Sequence, residues 1–535
     1  MLGTAALTTL SSCLKDLDRD PVYDPGVDTV YKDAAGYKQA LAKIYGGFAL
    51  TGSQGPSGTG TGDIQNIDEG TSDYLRQLWS AQELTTDEAV IAWGDVGIQD
   101  WHNMNWTAAN PLIRGLYSRI FYEITLCNGF LQQATDAKLS ERGLSGNEAT
   151  AVRAYRAEAR FIRALSYYHA LDLFGKAPFT DENFEIGGFT APSVRSGPEL
   201  FAFIESELKA IEPDLLPART NEYGRADKAA AWTLLARLYL NSRVYNGASS
   251  PSRLADCATY AKRVIDAGYS LQTTPAAVSS AYGRNFLADN QTSPEIIFAV
   301  PFDGKRTQSY GGTTFLVHAA IAGTADENWK PSRYGVGAGW GGIRTTSNLY
   351  SLFRDTAADR RGRFQTQGQT LEITSLTDFK YGYVPIKYKN VTSTGVAGSD
   401  GLFVDTDYPL FRLADVYLMY AEAVTREASA GDATLALNYV NQIRNRAFNN
   451  ASGATISAGA LNSDFILQER ARELYWEGYR RTDLIRFGRF TDASYLWPWK
   501  GGVATGRVVE SFRNLFPIPT SELGVNPNLQ QNPGY

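Results

Sequence analysis

The sequence predicts a mainly α-helical protein built around tetratricopeptide-like helical hairpins, with long loops and little β structure, on three observations. Apolar residues recur at three- and four-residue steps over long runs, small residues sit where paired helices would cross, and Gly- and Ser-rich stretches carrying aromatic rings separate the helical blocks. The clearest stripe covers 149–174, with Ala154, Ala157, Phe161, Leu165 and Tyr168 on one face and Gly175 and Pro178 closing the run. A first hairpin is expected from 229–241 and 254–267, where Leu235, Ala236, Tyr239, Ala255 and Ala261 hold repeat-like positions. A second is expected from 413–425 and 433–446, through Leu413, Ala414, Tyr417, Ala421 and Ala436. Small residues there let helices approach closely, and such hairpins bury their stripes by stacking. The stretches 51–62, 290–342 and 365–401 read as loops. Their aromatic content argues against simple linkers.

With 535 residues the chain has ample length for a large core. A net charge of −6 with no Lys/Arg cluster excludes nucleic acid as a partner. No run approaches the ~18 apolar residues of a membrane-spanning helix. The N-terminus is informative in another way: Leu10-Ser11-Ser12-Cys13 follows a small, apolar segment and has the residue types of a lipobox. That pattern resembles a bacterial lipoprotein signal, with acylation of Cys13 anchoring the protein to a membrane. A positive n-region is missing before Lys15, which implies a start upstream of Met1. The polar residues up to 35 read as a tether. Cys127 and Cys257 lie in helical runs as core residues, too few for a disulfide or zinc framework.

Four stretches, in order along the chain, resemble the SusD/RagB family of nutrient-uptake lipoproteins. They are Asn66-Ile67-Asp68-Glu69-Gly70 leading to Leu84-Thr85-Thr86-Asp87-Glu88; Gly339-Trp340-Gly341-Gly342-Ile343-Arg344; Tyr408-Pro409-Leu410-Phe411-Arg412-Leu413-Ala414-Asp415; and Glu469-Arg470-Ala471-Arg472-Glu473-Leu474-Tyr475-Trp476-Glu477-Gly478-Tyr479-Arg480, with the tail Phe516-Pro517-Ile518-Pro519. The resemblance implies a SusD-like fold with repeat-like hairpins on one side and a ligand face of long loops and minor β elsewhere. It divides the chain into a leader at 1–12, the tether at 13–35, an N-terminal region with helical repeats at 36–280 and a C-terminal region at 281–535. It also implies an outer-membrane, lipid-anchored protein on the surface of a Gram-negative bacterium, with a SusC-like TonB-dependent transporter as partner. No cofactor is implied. The expected function is capture of an oligosaccharide, an α-glucan first, for that transporter. A peptide-capturing lid of the same family and a glycan-cleaving enzyme are the alternatives.

A sugar binder needs flat rings for the C–H faces of the pyranose and polar groups for its hydroxyl rim. Two aromatic, Gly-punctuated segments supply both: Trp93, Trp101, Asn103, Asn105 and Trp106 in one, and Tyr310, Trp329, Arg333, Tyr334 and Trp340 in the other. Within them Trp101 and Trp329 are expected to be the stacking platforms, with Asn103 or Arg333 at the rim. Trp232 and Trp476, within helical runs, are expected in the core. A helix over 465–487 carries alternating charges, which read as stabilising pairs rather than catalytic carboxylates. The adjacent Asp87 and Glu88 do not by themselves give the carboxyl spacing of a glycosidase. His102 is a possible donor to a sugar hydroxyl. The GxGxxG pattern at 337–342 lacks a flanking strand–helix unit and reads as a loop, not a phosphate cradle.

Overall fold

The computed structural model describes residues 26–535 apart from 53–61, 186, 187, 189, 324–328, 354–357 and 452. Cys13 and its lipobox therefore lie outside the described residues. Helices form where the periodicity puts them. The run at 149–174 is the helix Gly146–Phe174, ended by Gly175 at φ +70, a left-handed cap that a Cβ would strain. A Cβ at Gly175 would also sit 2.8 Å from the Leu515 side chain.

The first hairpin pairs Lys228–Leu240 with Leu254–Asp266, and the second pairs Leu413–Arg426 with Ala433–Ala447. Leu254–Asp266 packs on both Lys228–Leu240 and Leu413–Arg426, so the two hairpins stack into one row although about 150 residues separate them in sequence. Ala236, Ala261, Ala421 and Ala436 are fully buried at the crossings. Ala255 is not; it faces solvent, and Cys257 and Ala258 take the buried positions. Upstream, Pro111–Gln133, Gly146–Phe174 and Gly197–Ile211 pack side by side and extend the helical side of the molecule. No described helix is long and apolar enough to cross a membrane.

Strands are few and occur as antiparallel pairs: Val90–Ile91 with Ile343–Arg344, Lys176–Phe179 with Ser193–Ser196, Ile296–Val300 with Tyr408–Arg412, and Phe364–Gln365 with Val384–Pro385. Two expectations are corrected here. The stretch 290–342 is not one loop, since it contains the buried strand Ile296–Val300 and the buried helix Gly312–Ala319. Short continuous apolar runs such as these give no periodic signal. Nor is 465–487 one helix. It breaks between Ser463–Leu474 and Arg480–Arg486, with Trp476 at φ +61 and Gly478 at φ +79. Glu83 from a distant helix stabilises the break by accepting from the backbone N–H groups of Gly478 (2.6 Å) and Tyr479 (3.2 Å). Trp476 is buried as expected, but it sits in that break rather than in a helix.

The charges of this region are structural, yet they reach across elements instead of along one helix. Arg361, Lys387, Arg412 and Arg446 meet Glu295, Glu469, Glu473 and Glu477 in a network with almost no solvent exposure. Arg470 bridges Asp415 (2.9 Å) and Asp483 (2.7 Å), and Arg486 binds Glu422 at 2.7 Å.

Candidate functional site

The two aromatic segments converge only in part, and a short β ladder decides which part. Val90 pairs with Arg344 and Ile91 with Ile343, and the next rung is the Ala92 N–H donating to Gly342 O at 2.9 Å. Continuing antiparallel, the chain emerges on one side at Trp93 and on the other at Trp340. The Trp93 indole N–H donates to Trp340 O at 3.2 Å, and the ring centroids lie 6.5 Å apart at 45°. A Cβ on Gly342 would come within 2.7 Å of the Trp93 ring, so the glycine run beside Trp340 is needed for close approach. Hydrogen bonds from the N–H groups of Trp340, Gly341 and Gly342 to the carbonyls of His318, Ile321 and Ala319 fasten the loop to the end of the helix Gly312–Ala319.

Tyr310 completes an arc, with its ring 6.2 Å from that of Trp340 and tilted by 59°. All three rings are partly exposed. Tyr310 is held from behind: Arg76 donates to its carbonyl at 3.2 Å, and Ser309 Oγ donates to Asp73 at 3.1 Å. Burial pushes the Asp73 carboxyl up to about 6 and the Arg76 guanidinium down to about 10, so Arg76 stays cationic at neutral pH. That guanidinium lies 4.6 Å from the Phe315 ring and 5.6 Å from the Trp93 ring, and it feels the charges of Asp68 and Asp95. Asp68, Asp95 and exposed Val96, with Thr71, Ser72 and Arg114, line a hollow of about 270 Å³ beside the arc. Ser72 Oγ is buried there without a hydrogen-bond partner. The region thus offers curved aromatic surface bordered by carboxylates and guanidinium groups, the chemistry of a hydroxyl-rich ligand.

Over the full chain the sequence is 34% identical to the starch-binding protein SusD of Bacteroides thetaiotaomicron, covering 98% of this chain and 96% of that one. The chain belongs to the SusD family. The family model matches residues 362–535, and SusD-like protein P2 of Formosa agariphila is 26% identical over 99% of this chain and 98% of its own. Among solved structures, a SusD superfamily protein from Parabacteroides distasonis superposes with a TM-score of 0.70 at 22% identity, covering 94% of this chain and 99% of that one. A surface glycan-binding protein A from Bacteroides thetaiotaomicron, solved in complex with laminarihexaose, gives 0.67 at 19% identity, with 93% and 99% covered. These likenesses establish the SusD fold.

In this SusD-family chain several sequence-predicted site residues lie elsewhere than expected. Trp101 is 0% exposed, packed on Trp106 and edge-on to Phe516 at 5.3 Å, so it offers no face to a ligand. Trp106 is equally buried, and its indole N–H donates to the hydroxyl of Tyr535 at 2.7 Å. The C-terminal tail, more than 400 residues away, covers both rings. Trp329, at 3% exposure, packs edge-on against Phe379 at 5.4 Å and is likewise closed as a platform; Tyr334 is buried too. Arg333 and Asn105 are exposed but outside the arc's contacts, and Asn103 lies against Gly502. His102 is buried against Gln99, with burial holding its ring at about 3, and cannot reach a ligand. Trp232 is partly buried against the core.

Arg76, His318 and the hollow at Asp68 and Asp95 escaped sequence reasoning. Contacts between residues far apart in sequence assemble them, and the ladder that sets Trp93 beside Trp340 has two residues per strand, which leaves no alternation to detect. The carboxylate pair Asp87 and Glu88 is sealed in the interior. Burial would raise the Asp87 carboxyl, but Arg480 at 2.7 Å outweighs it and holds the group below the ordinary range. Glu88 is pushed up by burial and by Glu83.

Proposed function

We propose that the protein is a glycan-binding member of the SusD family that holds an oligosaccharide on the arc of Trp93, Tyr310 and Trp340 and delivers it to a TonB-dependent outer-membrane transporter. The arc carries this reading. Successive rings tilted by 45° and 59° form a curved platform, which suits the curved chain of an α-glucan better than a flat ribbon. The relative that shares 34% identity is named for starch binding, which supports the same choice. The exposed carboxylates of Asp68 and Asp95 are assigned to the hydroxyl rim, with buried Arg76 holding Tyr310 from behind. The protein is a binder and not a hydrolase: the relative that shares 34% identity is named as a binding protein, and Asp87 with Glu88 lies out of reach of a substrate.

Calorimetric titration of the soluble protein against a polysaccharide panel tests the reading. Trp93→Ala and Trp340→Ala are each expected to weaken binding of the preferred glycan ~5- to 150-fold, taking base–aromatic stacking as the guide. Their melting temperatures should stay near the parent's, since partly exposed rings support little core. Parent-like affinity in both variants would reject the arc as the site.

The anchor and the partner rest on the lipobox at Cys13 and on family membership. In cells, Cys13→Ala is expected to move the protein out of the membrane fraction and to abolish its co-purification with a TonB-dependent barrel after mild detergent extraction. A variant that remains membrane-bound and surface-accessible would remove the anchor.

A further inference from the structure

Directly beneath the Trp340 platform lies a histidine with two acceptors and, when neutral, one proton. His318, in the last turn of the helix Gly312–Ala319, is 0% exposed, and its ring stacks on Trp340 at 4.5 Å and 17°. Its Nδ1 lies 2.7 Å from the carbonyl oxygen of Ala338 and its Nε2 lies 2.8 Å from that of Leu402. One carbonyl belongs to the loop that carries Trp340, the other to the loop that buttresses Tyr310. Ala338 precedes Trp340, and Leu402 precedes Phe403, whose ring packs on Tyr310 at 5.4 Å. The loops touch each other through the Gly337 N–H donating to Gly401 O at 2.8 Å.

We propose that His318 is the positioning residue of the aromatic platform, a staple that ties both ligand-face loops together and closes fully when its imidazole is protonated. The inference rests on the arc being the glycan site. Carbonyl oxygens only accept, and a neutral imidazole has a single N–H, so one of the two contacts must set a lone pair against a carbonyl. The imidazolium donates to both. Burial lowers the ring's proton affinity and the two carbonyls raise it, with burial the larger influence, so the neutral form prevails at ordinary pH and acid completes the second bond. Its own helix, Gly312–Ala319, bears no charged residue, and neither does 335–343. The segment through Leu402 is flanked by Asp400, paired with Lys305 at 3.0 Å, and by Asp405. Asp73, behind Tyr310 and pushed up to about 6, also titrates on acidification and is common to parent and variants.

The test compares the parent with His318→Phe, which keeps the stack and the volume but makes neither bond, and His318→Gln, which can donate but does not titrate. The first readout needs no ligand: Trp340 fluorescence, isolated by difference against Trp340→Phe, should be quenched by the imidazolium as the pH falls below the ordinary histidine value of 6.5 in the parent and in neither variant. The second is affinity for the glycan found in the panel. It should rise on acidification in the parent, fall about 10-fold in His318→Phe at acid pH, where the parent's imidazolium bonds both loops and Phe bonds neither, and lose the His-dependent part of its pH slope in both variants. Should His318→Phe fail to fold, the slope and quench of His318→Gln decide. A quench retained in the variants, or affinity and slope unchanged by the substitutions, overturns the staple. If the parent shows the His318-dependent quench but binds no glycan in the panel, the staple of the two loops stands and the glycan reading falls.

Discussion

Arg412→Met is expected to destabilise the protein by about 3–5 kcal/mol, because a buried charge cluster loses the cation at its centre. Arg412 is 0% exposed and uses its guanidinium for five hydrogen bonds: two to the Glu477 carboxylate (2.6 and 2.7 Å), one each to Glu295 (2.8 Å) and the Glu473 carboxylate (2.6 Å), and one to the Glu473 carbonyl (2.7 Å). Met fills much of the volume but leaves Glu473 and Glu477 short of a partner in a region closed to solvent. The penalty should depend on pH with a definite sign. Burial would raise the Glu473 carboxyl, but Arg446, Arg412 and Arg361 together outweigh burial and hold it at about 2 instead of 4.5. A carboxyl depressed on folding contributes fully above its unfolded value and loses that contribution as pH falls through the folded one. The gap between parent and Arg412→Met should therefore be widest near neutrality and narrow from about pH 4.5 down to about pH 2. Urea midpoints across that range measure it. A variant with the parent's midpoint at pH 7 would show that the network contributes little.

Trp476→Ala should cost a similar ~3–5 kcal/mol through a different mechanism, the cavity left by a large ring. Trp476 is 1% exposed and stands edge-on to Trp79 at 5.7 Å and 85°. Its indole N–H donates to Glu88 O at 3.1 Å, so truncation also strips a buried carbonyl of a donor. The bonds that Trp79 Nε1 and Tyr388 OH make to the Trp476 carbonyl survive, being independent of the side chain. Because the residue sits at φ +61, Trp476→Gly should be no less stable than Trp476→Ala, a reversal of the usual order for the two small residues. Thermal melts of the pair, with glycan titration below the melting range, are the measurement. Glycan affinity of the folded fraction should match the parent's, as Trp79 and Phe315 stand between Trp476 and the arc. A Trp476→Ala protein that melts with the parent would contradict its place in the core.

These two substitutions lie in stretches whose character the sequence conveyed unevenly. The motif around Glu469 to Arg480 signalled the family, and alternating charge signalled structural pairing, yet neither indicated that the pairs would be buried and inter-element. Helical spacing describes neighbours one turn apart. The partners of Glu473 come instead from residues 361, 412 and 446, and no local pattern encodes that meeting.

By itself the sequence determined the long periodic helices and the family. A stripe at 3.6-residue spacing is a local property, and so are a glycine cap such as Gly175 and the small residues of the two hairpins, which is why those elements fall within a few residues of expectation. Which aromatic rings face solvent was decided only by the tertiary structure. Trp93 and Trp101 share one segment and similar neighbours, yet a two-residue ladder brings Trp93 beside Trp340, whereas Phe516 and Tyr535 close over the Trp101–Trp106 pair from the far end of the chain. Exposure is set by what packs against a ring, and here that partner lies hundreds of residues away.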